Sequence, residues 1–215
     1  MIQAVLFDLD GVLVSTDEYH YRSWVKLSQE EGFDFFDHEF NHKFRGVARM
    51  ECIEIITAAS GKSYSPEQKQ ELADRKNRYF MESLKSVTPE ELLPGALNAL
   101  RTLKQRGIKT AVASNSRNAV TIIEQVGILP LLDAVVDGHQ IENSKPDPEV
   151  FLLAAKKIGV PPAQCVVVED AITGIEAARR AGMKALGIGN KQRLPNADIV
   201  VPDLAAISVD ALLTL

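Results

Sequence analysis

The 215-residue chain has little cysteine, no excess of basic residues and no long apolar segment. Its two cysteines, Cys52 and Cys165, lie within a helical and a strand pattern, so we expect buried thiols rather than a disulfide or a metal site. A formal charge of -5 argues against nucleic acid or an anionic membrane as a partner, because both favour basic surfaces. Since no apolar run approaches the roughly 20 residues of a membrane span and no signal-peptide pattern opens the chain, we expect a cytoplasmic protein.

The distribution of apolar residues divides the chain into two regions. From residue 17 to about 84 the spacing is helical, with helices predicted from Asp17, over about 49–60 and from Ser65. From Leu93 onward short apolar runs alternate with amphipathic helices. Besides the first apolar run, strands are predicted near residues 109–113, 134–136, 165–169, 184–188 and 198–201.

Repeated strand-helix-strand units imply a parallel sheet with helices on both faces. The first strand precedes the helical region, so we predict an α/β, Rossmann-like core of residues 1–14 and 87–215 that is interrupted by a helical bundle at 15–86. Ligands of such sheets collect at the carboxyl ends of the strands, and an insert that leaves from that edge could act as a lid.

Two aspartates follow the first apolar run, in the segment Phe7-Asp8-Leu9-Asp10-Gly11. On an extended chain Asp8 and Asp10 point the same way, and glycine then allows a sharp turn. Like charges this close cost free energy unless a cation bridges them or one keeps its proton. A solvated strand end with two acids is the plain alternative.

Two further polar clusters follow predicted strands. Ser114 to Asn118 precede an amphipathic run, and hydroxyls and amides at a helix start can bind phosphate or simply cap the helix. In Lys145-Pro146-Asp147-Pro148 each proline restrains its predecessor, which holds the lysine in a loop of fixed shape, although a loop lysine is usually solvated. We read Asp147 as the cap and Pro148 as the first residue of the next helix.

A fourth cluster, Glu169-Asp170, ends the strand Val166–Val168 and precedes a helix that contains Gly174. These acids supply further hard oxygen ligands, so that an octahedral Mg²⁺ becomes plausible beside Asp8. They could equally complement the dipole of the following helix.

Together the four clusters resemble the haloacid dehalogenase superfamily over the whole chain. The resembling segments are Asp8-Leu-Asp10-Gly-Val, Ser114, Lys145-Pro and Glu169-Asp170. The resemblance implies phosphoryl transfer, with Asp8 as nucleophile, Asp10 as general acid and base, and Ser114 and Lys145 stabilising the transferring group. It also implies Mg²⁺ held by Asp8, the Asp10 carbonyl, Asp170 and Glu169.

Several further segments, namely Glu18-Tyr-His20, Gly46-Val47 with Arg49, Arg75-Lys76-Asn77 and Ser116 with Asn118, are similar to the β-phosphoglucomutase family. That family interconverts β-glucose 1-phosphate and glucose 6-phosphate through β-glucose 1,6-bisphosphate. The similarity implies a monomer that binds a sugar phosphate. His20 and Lys76 would couple lid closure to the placement of Asp10, and Arg49 would hold the distal phosphate. The substrate-binding residues expected on this basis are Thr16, His20, Trp24, Gly46, Val47, Arg49, Lys76, Asn115, Ser116, Arg117 and Asn118.

Four positions depart from that family's pattern, namely Ser15, Cys52, Asn115 and Arg117. Of these, Asn115 lies beside the expected phosphate site and leaves the substrate less certain than the chemistry. Two alternatives therefore stay open. One is a sugar-phosphate phosphatase of the same fold, and the other is a non-enzymatic switch driven by aspartyl phosphorylation.

Overall fold

A computed structural model of the chain describes residues 1–44 and 47–215, and these form two compact units. The α/β unit comprises residues 1–15 and 88–215, and the helical unit comprises residues 16–87. The α-helices and strands in chain order are β1 (Ala4–Phe7), α1 (Asp17–Glu31), α2 (His38–Asn41), α3 (Arg49–Ala59), α4 (Pro66–Leu84), α5 (Ala96–Gln105), β2 (Lys109–Ala113), α6 (Ala119–Gln125), β3 (Ala134–Val136), α7 (Glu149–Ile158), β4 (Cys165–Glu169), α8 (Ile172–Arg180), β5 (Lys184–Ile188), β6 (Ile199–Val201) and α9 (Val209–Leu212).

The α/β unit is built on a six-stranded, entirely parallel sheet with the strand order β3-β2-β1-β4-β5-β6. This order places β1 in the middle, where the direction of winding reverses between β1 and β4. Phe7 pairs with both Val112 and Val168, so the carboxyl ends of β2, β1 and β4 lie level with one another. The predicted Rossmann-like fold class is confirmed, including the parallel sheet.

Apolar strands with helical cover explain the core of this unit. All four residues of β1 and all five of β4 are buried, as expected for strands that carry helices on both faces. One core cluster packs Phe151 of α7 and Ile175 of α8 against Leu6, Ala111 and other small or branched residues of the sheet. The centre of the sheet is therefore a rigid support for whatever follows its strands.

The helical unit has an aromatic core. Trp24 and Phe44 have ring centroids 4.8 Å apart, and Phe36 and Phe40 pack beside them. α1 ends at Gly32 in the left-handed region, with φ +67°, and its N–H bonds to Ser28. This core lies among four helices, in agreement with the predicted bundle.

Local sequence signals explain the helix starts and one small error. At Ser65 a complete capping box forms with Gln68, and Pro66 is the first residue of α4, as predicted. The prediction for the helix near Asp147 was one residue early, because Pro148 occupies the cap position and α7 begins at Glu149. Asp147 still acts as an acceptor for the first turn, since its Oδ1 accepts the Glu149 N–H at 2.9 Å. Among the helices that the structure describes, every one is too short or too polar to span a lipid bilayer.

Candidate active site

Three strands bring acidic and hydroxyl side chains to one edge of the sheet. Asp8 follows β1, Ser114 follows β2 and Glu169 is the last residue of β4. The ladder continues past β1, because the Asp8 N–H donates to the Val168 carbonyl at 2.9 Å. The carboxyl-edge placement expected from the sequence for these three residues is what the structure shows.

Lys145 connects these strand ends, although it comes from the loop after β3. Its Nζ lies 2.5 Å from Asp8 Oδ1 and 2.7 Å from Glu169 Oε1, and it donates to the Ala113 carbonyl at 3.0 Å. The side chains of Lys145 and Glu169 are only 4% and 2% exposed. Burial alone would lower the pKa of Lys145, but the charges of Asp8 and Glu169 outweigh it and raise that pKa. Lys145 is therefore a fixed cation and not the solvated loop lysine of the plain alternative.

For the pKa of Asp8, burial is the dominant effect and the charge of Lys145 is the smaller one. Burial raises its pKa well above the ordinary value, Lys145 opposes this shift, and the carboxylates of Glu169 and Asp170 add to it. The groups that shift the pKa of Asp8 thus include one ammonium and two further carboxylates. This concentration of negative charge is the environment in which a divalent cation binds favourably.

The turn after Asp8 positions a second carboxylate. Gly11 has φ +80°, and its N–H donates to the Val14 carbonyl at 2.8 Å. A Cβ built on Gly11 would lie 2.3 Å from Asp170 Oδ2, so only glycine allows this approach. The Asp170 carboxylate therefore lies against the Asp8–Val14 turn.

The two acids at the end of β4 have different surroundings. Glu169 Oε1 contacts Lys145, and its Oε2 accepts the Ala171 N–H at 2.8 Å, so protein donors occupy both oxygens. A Cβ on Gly174 would lie 1.9 Å from Glu169 Oε1, which shows how tightly α8 closes over this carboxylate. Each of these oxygens keeps a further lone pair, so the role of Glu169 as a metal ligand beside Asp170 stays a prediction.

The donor set fits Mg²⁺, which usually takes one or two carboxylates together with water and substrate oxygens. No cluster of three or more His, Cys, Asp or Glu side chains suited to a metal occurs within residues 1–44 and 47–215. Asp8, Asp170 and Glu169 would be the side-chain ligands of the predicted set, together with the Asp10 carbonyl. Such a small set matches magnesium better than zinc, which prefers His and Cys ligands.

The segment after β2 forms a chain of turns. Ser114 is 3% exposed, its N–H donates to the Val136 carbonyl at 3.0 Å, and its Oγ accepts the Ser116 N–H at 3.1 Å. Ser116 Oγ in turn accepts the Asn118 N–H at 3.2 Å. Asn118 stands at the cap position of α6 without a side-chain capping bond, so the cap alternative does not hold for it. Arg117 is exposed.

In the helical unit, His20 and Lys76 are in direct contact. Lys76 Nζ lies 2.7 Å from His20 Nδ1, and the His20 ring stacks on Phe80 with centroids 3.9 Å apart. Lys76 is 2% exposed and also lies 5.1 Å from the centre of the Trp24 ring. Burial lowers the pKa of His20 well below its ordinary value, and the charges of Lys76 and Arg49 add to this. With His20 neutral, its Nδ1 can accept a hydrogen bond from Lys76 Nζ.

The remaining predicted substrate residues of this unit have separate surroundings. Thr16 is fully buried at the start of α1, and Trp24 belongs to the aromatic core. Val47 packs partly against that core, and Arg49 is the half-buried first residue of α3. Gly46 lies outside the described residues.

Sequence reasoning missed two contributors to the Lys145 site. The Ala113 carbonyl accepts a hydrogen bond from Nζ, and the Phe151 ring lies 4.7 Å from the same atom. A backbone carbonyl carries no signal in residue type, and Phe151 looks like any apolar position of an amphipathic helix. Both Cys52 and Cys165 are buried thiols, as expected, and burial raises their pKa values to about 12 and about 11.

Comparisons with known proteins identify the family. A model of haloacid dehalogenase-like hydrolases matches residues 2–182. The chain belongs to the haloacid dehalogenase-like hydrolase family. The chain is 39% identical to a β-phosphoglucomutase of Bacillus subtilis, and the match covers 98% of this chain and 94% of the relative. It is 31% identical, over 86% of this chain and 84% of the relative, to a phosphorylated carbohydrates phosphatase of Thermotoga maritima.

A solved structure of another β-phosphoglucomutase is also similar to this chain. The crystal structure of a β-phosphoglucomutase from Clostridium difficile superimposes with a TM-score of 0.92 at 37% identity, covering 98% of this chain and 95% of that one. This haloacid dehalogenase-like hydrolase is therefore an enzyme of a family whose relatives include both mutases and phosphatases of phosphorylated sugars.

Proposed function

We propose that the enzyme is a Mg²⁺-dependent mutase that interconverts β-glucose 1-phosphate and glucose 6-phosphate, with β-glucose 1,6-bisphosphate as intermediate and activator. The observation that carries this proposal is the buried Asp8-Lys145-Glu169 cluster at the switch point of the sheet, 2.5 and 2.7 Å between charged atoms. The similarity to two β-phosphoglucomutases over nearly the full chain supports the substrate.

In the proposed reaction, phospho-Asp8 first transfers its phosphoryl group to the 6-hydroxyl of β-glucose 1-phosphate. The bond between phosphorus and Asp8 breaks, the bond to O6 forms, and Asp10 takes the hydroxyl proton. The bisphosphate then turns round, and Asp8 attacks the phosphorus on O1. As that bond breaks, Asp10 returns its proton to O1, which releases glucose 6-phosphate and restores phospho-Asp8.

The surrounding residues stabilise charge during each transfer. The Lys145 ammonium and the Ser114 hydroxyl stabilise the phosphoryl oxygens, and the rigid sheet edge holds both in place before reaction. Because Ser114 Oγ already accepts from Ser116, its own proton is left to donate. Bound at Asp8, Asp170 and the Asp10 carbonyl, Mg²⁺ would neutralise charge between nucleophile and phosphate.

A mutase must also bind a second phosphate at a distance from Asp8. We propose Arg49 for this role, because its guanidinium can bind phosphate with two hydrogen bonds. We also propose Ser116 and Asn118 as substrate contacts. The other predicted substrate contacts, including Thr16, Val47, Arg117 and the His20–Lys76 pair, remain part of this proposal.

Product analysis tests the mutase activity. The enzyme with Mg²⁺, β-glucose 1-phosphate and catalytic β-glucose 1,6-bisphosphate should give glucose 6-phosphate, and Asp8→Asn should abolish turnover. Arg49→Ala should reduce the mutase rate far more than the hydrolysis of a small phosphate ester. Release of free phosphate and glucose without glucose 6-phosphate contradicts the proposal.

A sugar-phosphate phosphatase is the second candidate, and the Thermotoga maritima relative favours it. Here water would attack phospho-Asp8, and no distal phosphate site is needed. In that case Arg49→Ala would have the same effect on the turnover of the sugar phosphate as on the hydrolysis of a small phosphate ester.

A further inference from the structure

Glu149, the first residue of α7, binds the loop that carries Lys145. Its Oε1 accepts the Glu142 N–H at 2.9 Å, and its Oε2 accepts the Asn143 N–H at 2.8 Å and Asn143 Nδ2 at 3.1 Å. The backbone hydrogen bonds from Glu142 and Asn143 lower the pKa of the Glu149 carboxyl, so it is ionised near neutral pH. One carboxylate therefore closes the loop of residues 142–149 with charge-assisted hydrogen bonds, which are stronger than neutral ones.

Lys145 lies inside this closed loop, and the chain that follows it is also tied to α7. The Asp147 N–H donates to the Ser144 carbonyl at 3.0 Å, and Asp147 Oδ1 accepts the Glu149 N–H at 2.9 Å. The first turn of α7 contains Phe151, which is part of the buried core on the sheet. The backbone of Lys145 is thus connected on both sides to the same rigid support that carries Asp8.

The contact between Lys145 and Asp8 changes during the proposed reaction. Lys145 Nζ lies 2.5 Å from Asp8 Oδ1, but Asp8 is the group that would receive the phosphoryl group. When the Asp8 carboxylate bonds to phosphorus, its negative charge is lost and the charge of the site lies on the phosphoryl oxygens. A restraint on the lysine that lasts through the transfer has to come from groups that do not react, and Glu149 is such a group.

We propose that Glu149 is a positioning residue, which keeps the Lys145 ammonium directed at the transferring phosphoryl group by holding the 142–149 loop closed. The inference rests on the proposed phosphoryl transfer at Asp8, and it applies to a mutase and to a phosphatase alike. Glu149 acts through the backbone of the loop and not by contact with the substrate.

The sign of the effect on phosphate affinity separates positioning from simple electrostatics. A carboxylate near the site repels phosphate, so its removal would strengthen phosphate binding if charge alone mattered. Loss of a positioning group should weaken phosphate binding instead, because the lysine then has to be ordered when the ligand binds.

Two substitutions at Glu149 and one matched control use this difference. Glu149→Ala removes both acceptor oxygens, whereas Glu149→Gln keeps one oxygen and turns an NH₂ group toward the other N–H. Glu142→Ala is the control, because it removes an exposed carboxylate from the same loop and leaves the Glu142 N–H in place.

The first readout is the dissociation constant of inorganic phosphate with Mg²⁺ present. We expect Glu149→Ala to weaken phosphate binding by roughly 3- to 10-fold and Glu149→Gln to weaken it less. Glu142→Ala should bind phosphate at least as tightly as the wild type. In native-state hydrogen exchange, the Glu142 and Asn143 amides should exchange faster in Glu149→Ala, while the amides of β4 keep their protection.

A double-mutant cycle with Lys145→Met distinguishes positioning of the lysine from a general structural role. Once the ammonium is absent, Glu149→Ala should cause no further loss of phosphate affinity, because no charge is left to position. Losses that add in the double variant would overturn the proposal. Unchanged or tighter phosphate binding in Glu149→Ala, or unchanged exchange of the two loop amides, would do the same.

Failure of the proposed function gives a different result. If the wild type forms no phosphoenzyme with acetyl phosphate, the phosphoryl transfer at Asp8 is wrong. The phosphate affinities and the amide exchange rates require no turnover, so they decide the role of Glu149 in either case.

Discussion

The two units each bury a lysine, and they stabilise it in different ways. In the α/β unit, Lys145 is held by the carboxylates of Asp8 and Glu169 and by a backbone carbonyl. In the helical unit, the contacts of Lys76 include a neutral imidazole nitrogen and the faces of Trp24 and Phe80. The first environment concentrates formal charge, and the second spreads a charge over polarisable rings.

The two environments should respond differently when the lysine is removed. A lysine among carboxylates cannot be removed without leaving buried anions behind, so the site depends on all of its members. The rings of Trp24 and Phe80 can also pack against an apolar chain of similar length, so we expect a smaller loss of stability when Lys76 is replaced. The predictions below test this contrast from the largest expected effect to the smallest.

The largest effect is expected for Lys145→Met. It leaves Asp8 and Glu169 facing each other without their cation, and we expect the free energy of unfolding to fall by about 3–5 kcal/mol in Mg²⁺-free buffer. Turnover should also be lost. Urea denaturation measures the change, and Lys145→Arg is the control that keeps the charge. Equal stability of Lys145→Met and the wild type would show that the ion pairs contribute nothing.

Lys76→Met should cost less. The methionine chain fills the space between Trp24 and Phe80, and the interactions lost include the hydrogen bond to His20 Nδ1, which is worth about 1–2 kcal/mol. The same urea series provides the measurement. A loss as large as that of Lys145→Met would remove the contrast between the two units.

The pH dependence of stability should carry a contribution from His20. Its pKa is lowered by burial and by Lys76 and Arg49, so the folded protein resists a proton that the unfolded chain binds below about pH 6.5. This contribution is complete above that pH and is lost as the pH falls toward the lowered value, by at most about 1.4 kcal/mol per pH unit. Denaturation between pH 7.5 and 5.5 should therefore show a steeper fall for the wild type than for His20→Gln. Parallel curves would contradict the assignment of a neutral buried histidine.

The smallest expected effect concerns the rates at which the two cysteines are labelled. Cys52 lies in the helical unit and Cys165 in the α/β unit, and their raised pKa values of about 12 and about 11 leave little thiolate at pH 8. Both should react with iodoacetamide at least about 100-fold more slowly than a free thiol. Mass spectrometry of protein labelled at rising urea concentration then reports which unit opens first. Fast labelling of Cys52 in native protein would show that the helical unit opens on its own.

Most of the sheet was predictable because its strands are short apolar runs between polar turns. The strand at Cys165–Glu169 and the helix start at Ser65 were placed correctly, since burial on both faces and a capping box leave clear local signals. Asp8, Ser114 and Glu169 were brought together by the parallel topology alone. The last strand begins at Ile199, one residue after the predicted start.

The features of the site that could not be predicted from the sequence depend on long-range packing. Lys76 lies on a charged helix and looks solvated, and only the fold shows that it is buried against His20, 56 positions earlier. The sequence places Glu169 beside Asp170, but only the fold shows that Lys145 Nζ and the Ala171 N–H donate to its carboxylate. The hydrogen bond from the Lys145 N–H to Asn115 Oδ1 at 3.3 Å joins loops that are 30 positions apart, and residue spacing does not encode it.

The chain leaves and re-enters the α/β unit through neighbouring segments. The Ser15 N–H donates to the Glu91 carbonyl at 3.1 Å, Val14 forms a bridge with Leu92, and the Leu93 N–H donates to the Leu13 carbonyl at 3.0 Å. A short hairpin connection could therefore replace residues 16–87 and still span the gap. Because closure entropy grows only with the logarithm of loop length, such a shortening would favour folding of the sheet by on the order of 2 kcal/mol. The insertion thus adds little to the free-energy cost of folding the sheet, and this junction is a suitable place for a different inserted domain.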